Sequence, residues 1–164
     1  MFADNPDRHF FLTLLGMVAS RLSWRCQGYC LLPNHYHLVI ETPNADLSAG
    51  MRELNGEYAQ WFNRRHSVDG HLFQGRFHSV LVESQWHLVE LVRYLALNPV
   101  RAGLCADPMD WPWASFPFLA GGRAGPRFLD KQSVLSLFGR DPVRAREALR
   151  AFALDAPRFS PRPL

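Results

Sequence analysis

After Asn5-Pro6-Asp7, apolar residues recur at helical spacing: Phe10, Phe11, Leu14, Leu15, Val18 and Leu22. An Asn cap candidate, an early proline and an acid in the first turn are start signals, so the pattern predicts a first helix over residues 6–22. From Trp24 to Leu32 the chain is rich in aromatic and β-favouring residues, Pro33-Asn34 supplies a turn, and His35 to Glu41 follows as a second short strand. Together they predict a hairpin. Past Thr42-Pro43-Asn44, the positions Leu47, Met51, Leu54, Tyr58 and Trp61/Phe62 predict a second helix ending near Asn63, with Arg64 and Arg65 in its last turn. Ser67 to His71 reads as a turn, Leu72 to Glu83 as a third strand, and Gln85 to Leu97 as a third helix stopped before Pro99. The predicted core order is helix, strand, strand, helix, strand, helix. Asp107 to Phe118 reads as an ordered wrap, Gly121 to Gly125 as a linker, and Phe128 to Leu154 as a helical tail in the most basic third of the chain. The domain division expected is therefore 1–120 for the main unit and 121–164 for linker and tail.

Composition narrows the class. At 164 residues with 48% hydrophobic and 20% charged residues, the chain has the make-up of one packed domain with an appendage, which excludes a disordered or fibrous protein. The apolar run from Phe10 to Ala19 is too short to cross a bilayer and follows Asp4 and Asp7 instead of a basic segment, so neither a membrane span nor a signal peptide is expected. Three cysteines, Cys26, Cys30 and Cys105, then predict reduced thiols in the cytoplasm. A net charge of +3 is modest, but Lys131 is the single lysine among 18 basic residues. Arginine's planar fork suits bidentate phosphate contacts, although genomic base composition gives the same bias.

Two constellations could carry chemistry. Side chains of a strand alternate, so His35, His37 and Glu41 share one face, about 7 Å per two residues, while Tyr36, Leu38 and Ile40 take the other. Two imidazoles on one face can converge on a cation; an isolated His-x-His equally describes one exposed ring and one hydrogen-bonded at a strand end. On the third helix, His87, Glu90, Tyr94, Asn98 and Arg101 follow one another by three or four residues, a polar stripe that also fits an ordinary solvated face. Combined, the two could hold a metal that polarises a phosphate while a phenol attacks it, leaving a phosphotyrosine suited to strand transfer. Among the tyrosines, Tyr58 falls on an apolar stripe, Tyr36 points away from the His pair and Tyr29 lies in the first hairpin strand, which leaves Tyr94 as the nucleophile candidate.

With these residues in view, the chain resembles the REP-associated tyrosine transposases, a branch of the single-tyrosine HUH transposases and nucleases. The matching stretches run in the family's order: Leu31 to Leu38 (LLPNHYHL), Tyr58 to Arg65 (YAQWFNRR), Gly70 to Phe77 (GHLFQGRF), Tyr94 to Gly103 (YLALNPVRAG) and Asp110 to Phe116 (DWPWASF). The resemblance implies an α/β fold, a ferredoxin-like sandwich of an antiparallel sheet with helices on it. It implies a His pair, His35 and His37, that binds Mg²⁺ or Mn²⁺ with Asn98 as third ligand, and Tyr94 as the nucleophile that cleaves single-stranded DNA. Imidazole pairs alone suit Zn²⁺ equally, so the metal choice rests on the family. The implied partners are palindromic DNA hairpins beside a short single-stranded tetranucleotide. Arg64, Arg65, Arg76 and Arg101 are then candidate phosphate contacts; Gln74, Phe73 and Phe77 could meet bases, the two phenylalanines being equally at home in a core.

One departure from the family pattern is expected. Its members begin with an additional strand before the first helix, beside the strand carrying the His pair, whereas here the helix starts almost at Met1. The runner-up reading is accordingly a DNA-hairpin-binding protein without catalysis. A structural zinc module from Cys26, Cys30, His35 and His37 is a third, but Cys-x3-Cys on a strand separates its thiols by about 13 Å, too far for one tetrahedral ion. Whether the protein is a monomer or a homodimer, and whether the tail binds DNA through Arg140, Arg144 and Arg150, the sequence leaves open.

Overall fold

Asp4, not Asn5, caps the first helix. Its carboxylate accepts from the Asp7 amide at 3.1 Å, while the Asp7 carboxylate accepts from the Asp4 and Ala3 amides at 3.2 and 2.7 Å. This reciprocal pairing satisfies donors that a helix start leaves orphaned. The helix so begun, α1, spans Asn5–Leu22 in the computed structural model, which describes residues 1–155. The hairpin follows as β1 (Arg25–Leu31) and β2 (Tyr36–Glu41), then α2 (Leu47–His66), α3 (Gln85–Arg101), a 3₁₀ turn at Pro108–Asp110, and the short α4 (Phe116–Ala120), α5 (Lys131–Ser136) and α6 (Pro142–Leu154). The longest connection, residues 67–84, leads into α3.

β1 and β2 pair antiparallel, with Cys30 opposite His37 and a register irregularity between Cys26 and Gly28. The pleat divides the hairpin's side chains between two layers. Tyr36, Leu38 and Ile40 pack with Phe11, Leu15, Leu54 and Tyr58 of α1 and α2. On the other face Cys30 and Val39 meet Leu95 of α3 and Ala114 of the wrap, with Tyr94 beside them. The resulting architecture is the expected α/β type, a small antiparallel sheet with helices on it. The outer edge of β1 is occupied by irregular chain: Leu31 donates to the Trp113 carbonyl, Ser115 to Tyr29 and Asp130 to Cys26, at 2.9, 2.9 and 2.8 Å. Wrap and post-linker residues thus dock on the hairpin, and Leu129, Val134, Leu149 and Ala153 join the same core as Phe11 and Leu54.

Further expectations are corrected. Leu72 to Glu83 forms no strand: among the described residues the sheet has two strands, and the backbone here has no ladder to join. Strand propensity describes fit to a pleated, half-buried surface, and Val80 and Leu81 instead stand 51% and 78% exposed. The third helix does not stop before Pro99 but runs through it to Arg101. Proline removes one amide and crowds the preceding turn. Here the helix ends only one turn later, where Ala102 donates to Asn98, Gly103 to Val100 and Leu104 to Pro99, with Gly103 at φ +70. α2 likewise extends past Asn63 to His66.

That extension brings Arg65 and His66 onto α1. The fully buried Asp7 carboxylate receives the Arg65 guanidinium at 2.6 Å and the His66 Nε2 at 3.0 Å, joining the start of one helix to the end of the other. Removing one member of such a buried charged cluster strands its partners. Asp7→Ala is expected to lower unfolding free energy by about 3 kcal/mol, read as a reduced urea midpoint. Glu57→Ala, on the exposed side of α2, should leave the midpoint almost unchanged.

Candidate active site between the hairpin and the third helix

The two histidines reach their places by different routes. His35 lies one residue before β2, on the turn, where its carbonyl accepts from Leu32 at 2.9 Å and its Nδ1 pairs with Asn34 Oδ1 at 2.7 Å. His37 sits within β2, opposite Cys30. Their rings nevertheless stand together, centroids 4.9 Å apart and planes at 89°. The intervening Tyr36 turns the other way, donating from its hydroxyl to Asn55 Oδ1 at 2.6 Å and packing on Phe11.

α3 completes the arrangement. The Tyr94 ring meets the His37 ring edge-on at 5.3 Å between centroids. Close approach of α3 to β1 makes this possible: a Cβ at Gly28 would lie 2.8 Å from Leu95 Cδ1, so glycine at that strand position lets the helix seat. Asn98 follows one turn after Tyr94 on the same side of α3, and its Nδ2 is buried without a partner, as is Nε2 of His37. Buried polar atoms without partners are uncommon in folded proteins, and these two border Tyr94 from β2 and from the next turn of α3. Turning the Asn98 amide by half a rotation presents its oxygen instead, the atom a hard cation prefers.

Burial, and then the neighbouring His35, pushes the His37 imidazole down to about 4; burial also lowers His35. Both rings are therefore neutral near pH 7 and carry free lone pairs, the form a metal requires. Three of the four tyrosines are core groups, their hydroxyls raised by burial, Tyr36 to about 12 and Tyr29 and Tyr58 likewise upward. Tyr94 is half-buried and borders the His pair.

The remaining site candidates fall in several places. Arg64, Gln74 and Arg76 are exposed, the last two on the irregular segment after α2. Arg101, exposed at the end of α3, holds its guanidinium 6.0 Å from the Tyr94 ring centroid. Arg65 is not free: Asp4 and Asp7 engage it, and it lies over Trp61 at 5.4 Å. Phe73 and Phe77 are half-buried against the main core, Phe73 6.4 Å from both Tyr36 and Tyr58 between ring centroids. One group escapes a reading of the sequence: Asp4, Asp7 and His66 offer ligand atoms within 4.8 Å of one another. The Asp4-x-x-Asp7 spacing signals a capping pair, but nothing local shows that residues 65 and 66 fold back onto it. The Arg65 cation already fills this cluster.

A sequence model of the family described as "Transposase IS200 like" matches residues 1–98, a stretch that contains both histidines, Tyr94 and Asn98. The chain belongs to the IS200-like transposase family. A protein of Haemophilus influenzae described as a REP-associated tyrosine transposase is 30% identical over 98 residues, covering 53% of this chain and 56% of that one. The chain thus spans about half the length of that relative. A solved structure of a REP-associated tyrosine transposase bound to a REP hairpin superposes with a TM-score of 0.59 at 20% identity, covering 71% of this chain and 72% of the other, which shows a common fold. No helix among the described residues of this IS200-like protein is long and apolar enough to cross a membrane.

The low proton affinity of His37 has a thermodynamic sign. Its folded pKa lies below the unfolded value of 6.5, so stability is fully present above 6.5 and is lost as pH falls toward about 4. Allowing for the part of the ring that water reaches, the loss is about 2 kcal/mol. Urea midpoints between pH 7 and 4 should show this decline, and His37→Gln should flatten it.

Proposed function

We propose that this IS200-like protein is a metal-dependent, single-stranded DNA endonuclease and strand transferase that cleaves beside palindromic DNA hairpins of the REP type through a 5′-phosphotyrosine on Tyr94. The observation that carries the reading is the juxtaposition of the Tyr94 ring with His37, whose buried Nε2 lacks a partner. His35, His37 and Asn98 would hold a divalent cation, Mg²⁺ or Mn²⁺. When bound, such an ion withdraws charge from a phosphate and so makes phosphorus more open to attack.

The chain's own residues do the rest. Tyr94 Oη loses its proton to solvent and bonds to phosphorus; the bond from phosphorus to the 3′ oxygen breaks, and that oxygen takes up a proton as a free 3′-hydroxyl. The phosphotyrosine conserves the phosphodiester, so a second 3′-hydroxyl can attack it and release Tyr94, which transfers a strand without an external energy source. Tyr94 packs against the apolar cluster of Val39 and Leu95, which covers one side of the phenol. Arg64, Arg76 and Arg101, all exposed, would meet phosphates of the DNA, and the exposed Gln74 a base edge. Arg65 serves the fold first. The protein is read as acting in the cytoplasm, where its DNA lies.

Incubation with labelled single-stranded hairpins in Mn²⁺ or EDTA tests the proposal. A covalent adduct stable to denaturation is expected in Mn²⁺ alone, absent for Tyr94→Phe and reduced by at least about 100-fold for His37→Ala. Retention of DNA without any adduct in Mn²⁺ would leave a binding protein and overturn the nuclease.

A further inference from the structure

Continuation of α3 through Pro99 has an effect that a helix ending at Leu97 would not produce. Arg101 becomes a helical residue two turns after Tyr94, and seven residues of α-helix return to nearly the same side. Its guanidinium lies 6.0 Å from the centroid of the Tyr94 ring, within cation–π range. The other guanidinium groups near the core are engaged: Arg65 with Asp4 and Asp7, Arg93 with the buried Glu90, and Arg8, itself buried, with the Asp4 carbonyl and the rings of Phe2 and Trp113. Arg101 makes no ion pair among the described residues and is solvent-exposed. The Tyr94 ring is thus bordered edge-on by His37 from β2 and overlain by Arg101 from its own helix, with the apolar cluster of Cys30, Leu32, Val39 and Leu95 beneath.

A cation held this way does two things for one reaction. It restricts the ring, so the hydroxyl is presented in one orientation. Its planar donors, unspent on any carboxylate, stay free to take two oxygens of a phosphate brought to the Tyr94 hydroxyl, where negative charge accumulates as phosphorus becomes five-coordinate. We infer that Arg101 is a catalytic residue that clamps the scissile phosphate against Tyr94, rather than one more contact to the DNA backbone. The inference rests on the nuclease reading above and assigns a specific atom partner within it.

Single-turnover adduct formation at saturating hairpin DNA, with binding measured separately by anisotropy in EDTA, separates the two roles. For Arg101→Gln the rate constant of adduct formation should fall by about 10- to 100-fold while the dissociation constant changes less than about threefold. Arg101→Lys, which keeps the charge but not the fork, should recover part of the rate. A lysine variant as slow as glutamine would overturn the role of charge. An Arg101→Gln protein that forms adduct as fast as the native one at saturation, but binds more weakly and with a shallower salt dependence, would make Arg101 a backbone contact and overturn the inference while leaving the nuclease intact. No adduct from the native protein in Mn²⁺ would overturn the nuclease reading and the clamp with it.

Discussion

The pleat of β2 is the constraint on which the rest depends. A strand with one buried face needs only every second residue for the core, but β2 has both faces covered. Tyr36, Leu38 and Ile40 hold α1 and α2, while His37 and Val39 hold α3. The same five residues therefore set the spacing of the helical layers and aim an imidazole at the helix that carries Tyr94. Any shift in the pairing of β1 with β2 by one residue would exchange the two sets. Gly28 reinforces the arrangement from the partner strand by admitting Leu95 where a methyl group would collide.

The candidate site accordingly belongs to no single element. His35 comes from a turn, His37 from a strand, and Tyr94, Asn98 and Arg101 from one helix that the chain reaches only after a segment without regular hydrogen bonding. What seats α3 is packing, through Val92, Leu95 and Ala96 on the hairpin, together with the buried Glu90–Arg93 pair and Phe152 of α6 lying against Arg93. The tail thereby supports the helix that presents the phenol.

Much of this is legible in the sequence because it is local and periodic. Apolar spacing of 3.6 marks α1, α2 and α3, and the alternation from His35 to Glu41 sorts His37 from Tyr36. The four-residue spacing of Tyr94 and Asn98 is enough to place both on one side of a helix. The failures share a different character. Leu72 to Glu83 carries strand-forming residues, but a strand exists only in a ladder, and no sequence window shows whether a partner edge is present. Pro99 reads as a stop, yet the next turn is held by amides of residues 102 to 104 that satisfy carbonyls beyond it. Arg65 reads as a phosphate contact because its engagement with Asp4 and Asp7 spans two helices and cannot be seen from either.

The irregular segment from Ser67 to Ser84 has a consequence for how such a protein can diverge. Its few regular backbone bonds leave its exposed positions open to change, while Leu72, Phe73 and Phe77 are held against the core. Lengthening a loop of this size by a residue or two costs only tenths of a kcal/mol in chain entropy, on the order of the logarithmic closure term. β2 obeys a parity rule instead, since inserting one residue inverts both of its faces at once. Two tolerances to substitution are thus built into one short chain, a narrow one for the hairpin and α3 and a wider one for exposed positions such as Gln74 and Arg76. Changes confined to the exposed positions of that segment leave untouched the geometry by which the phenol meets the imidazole.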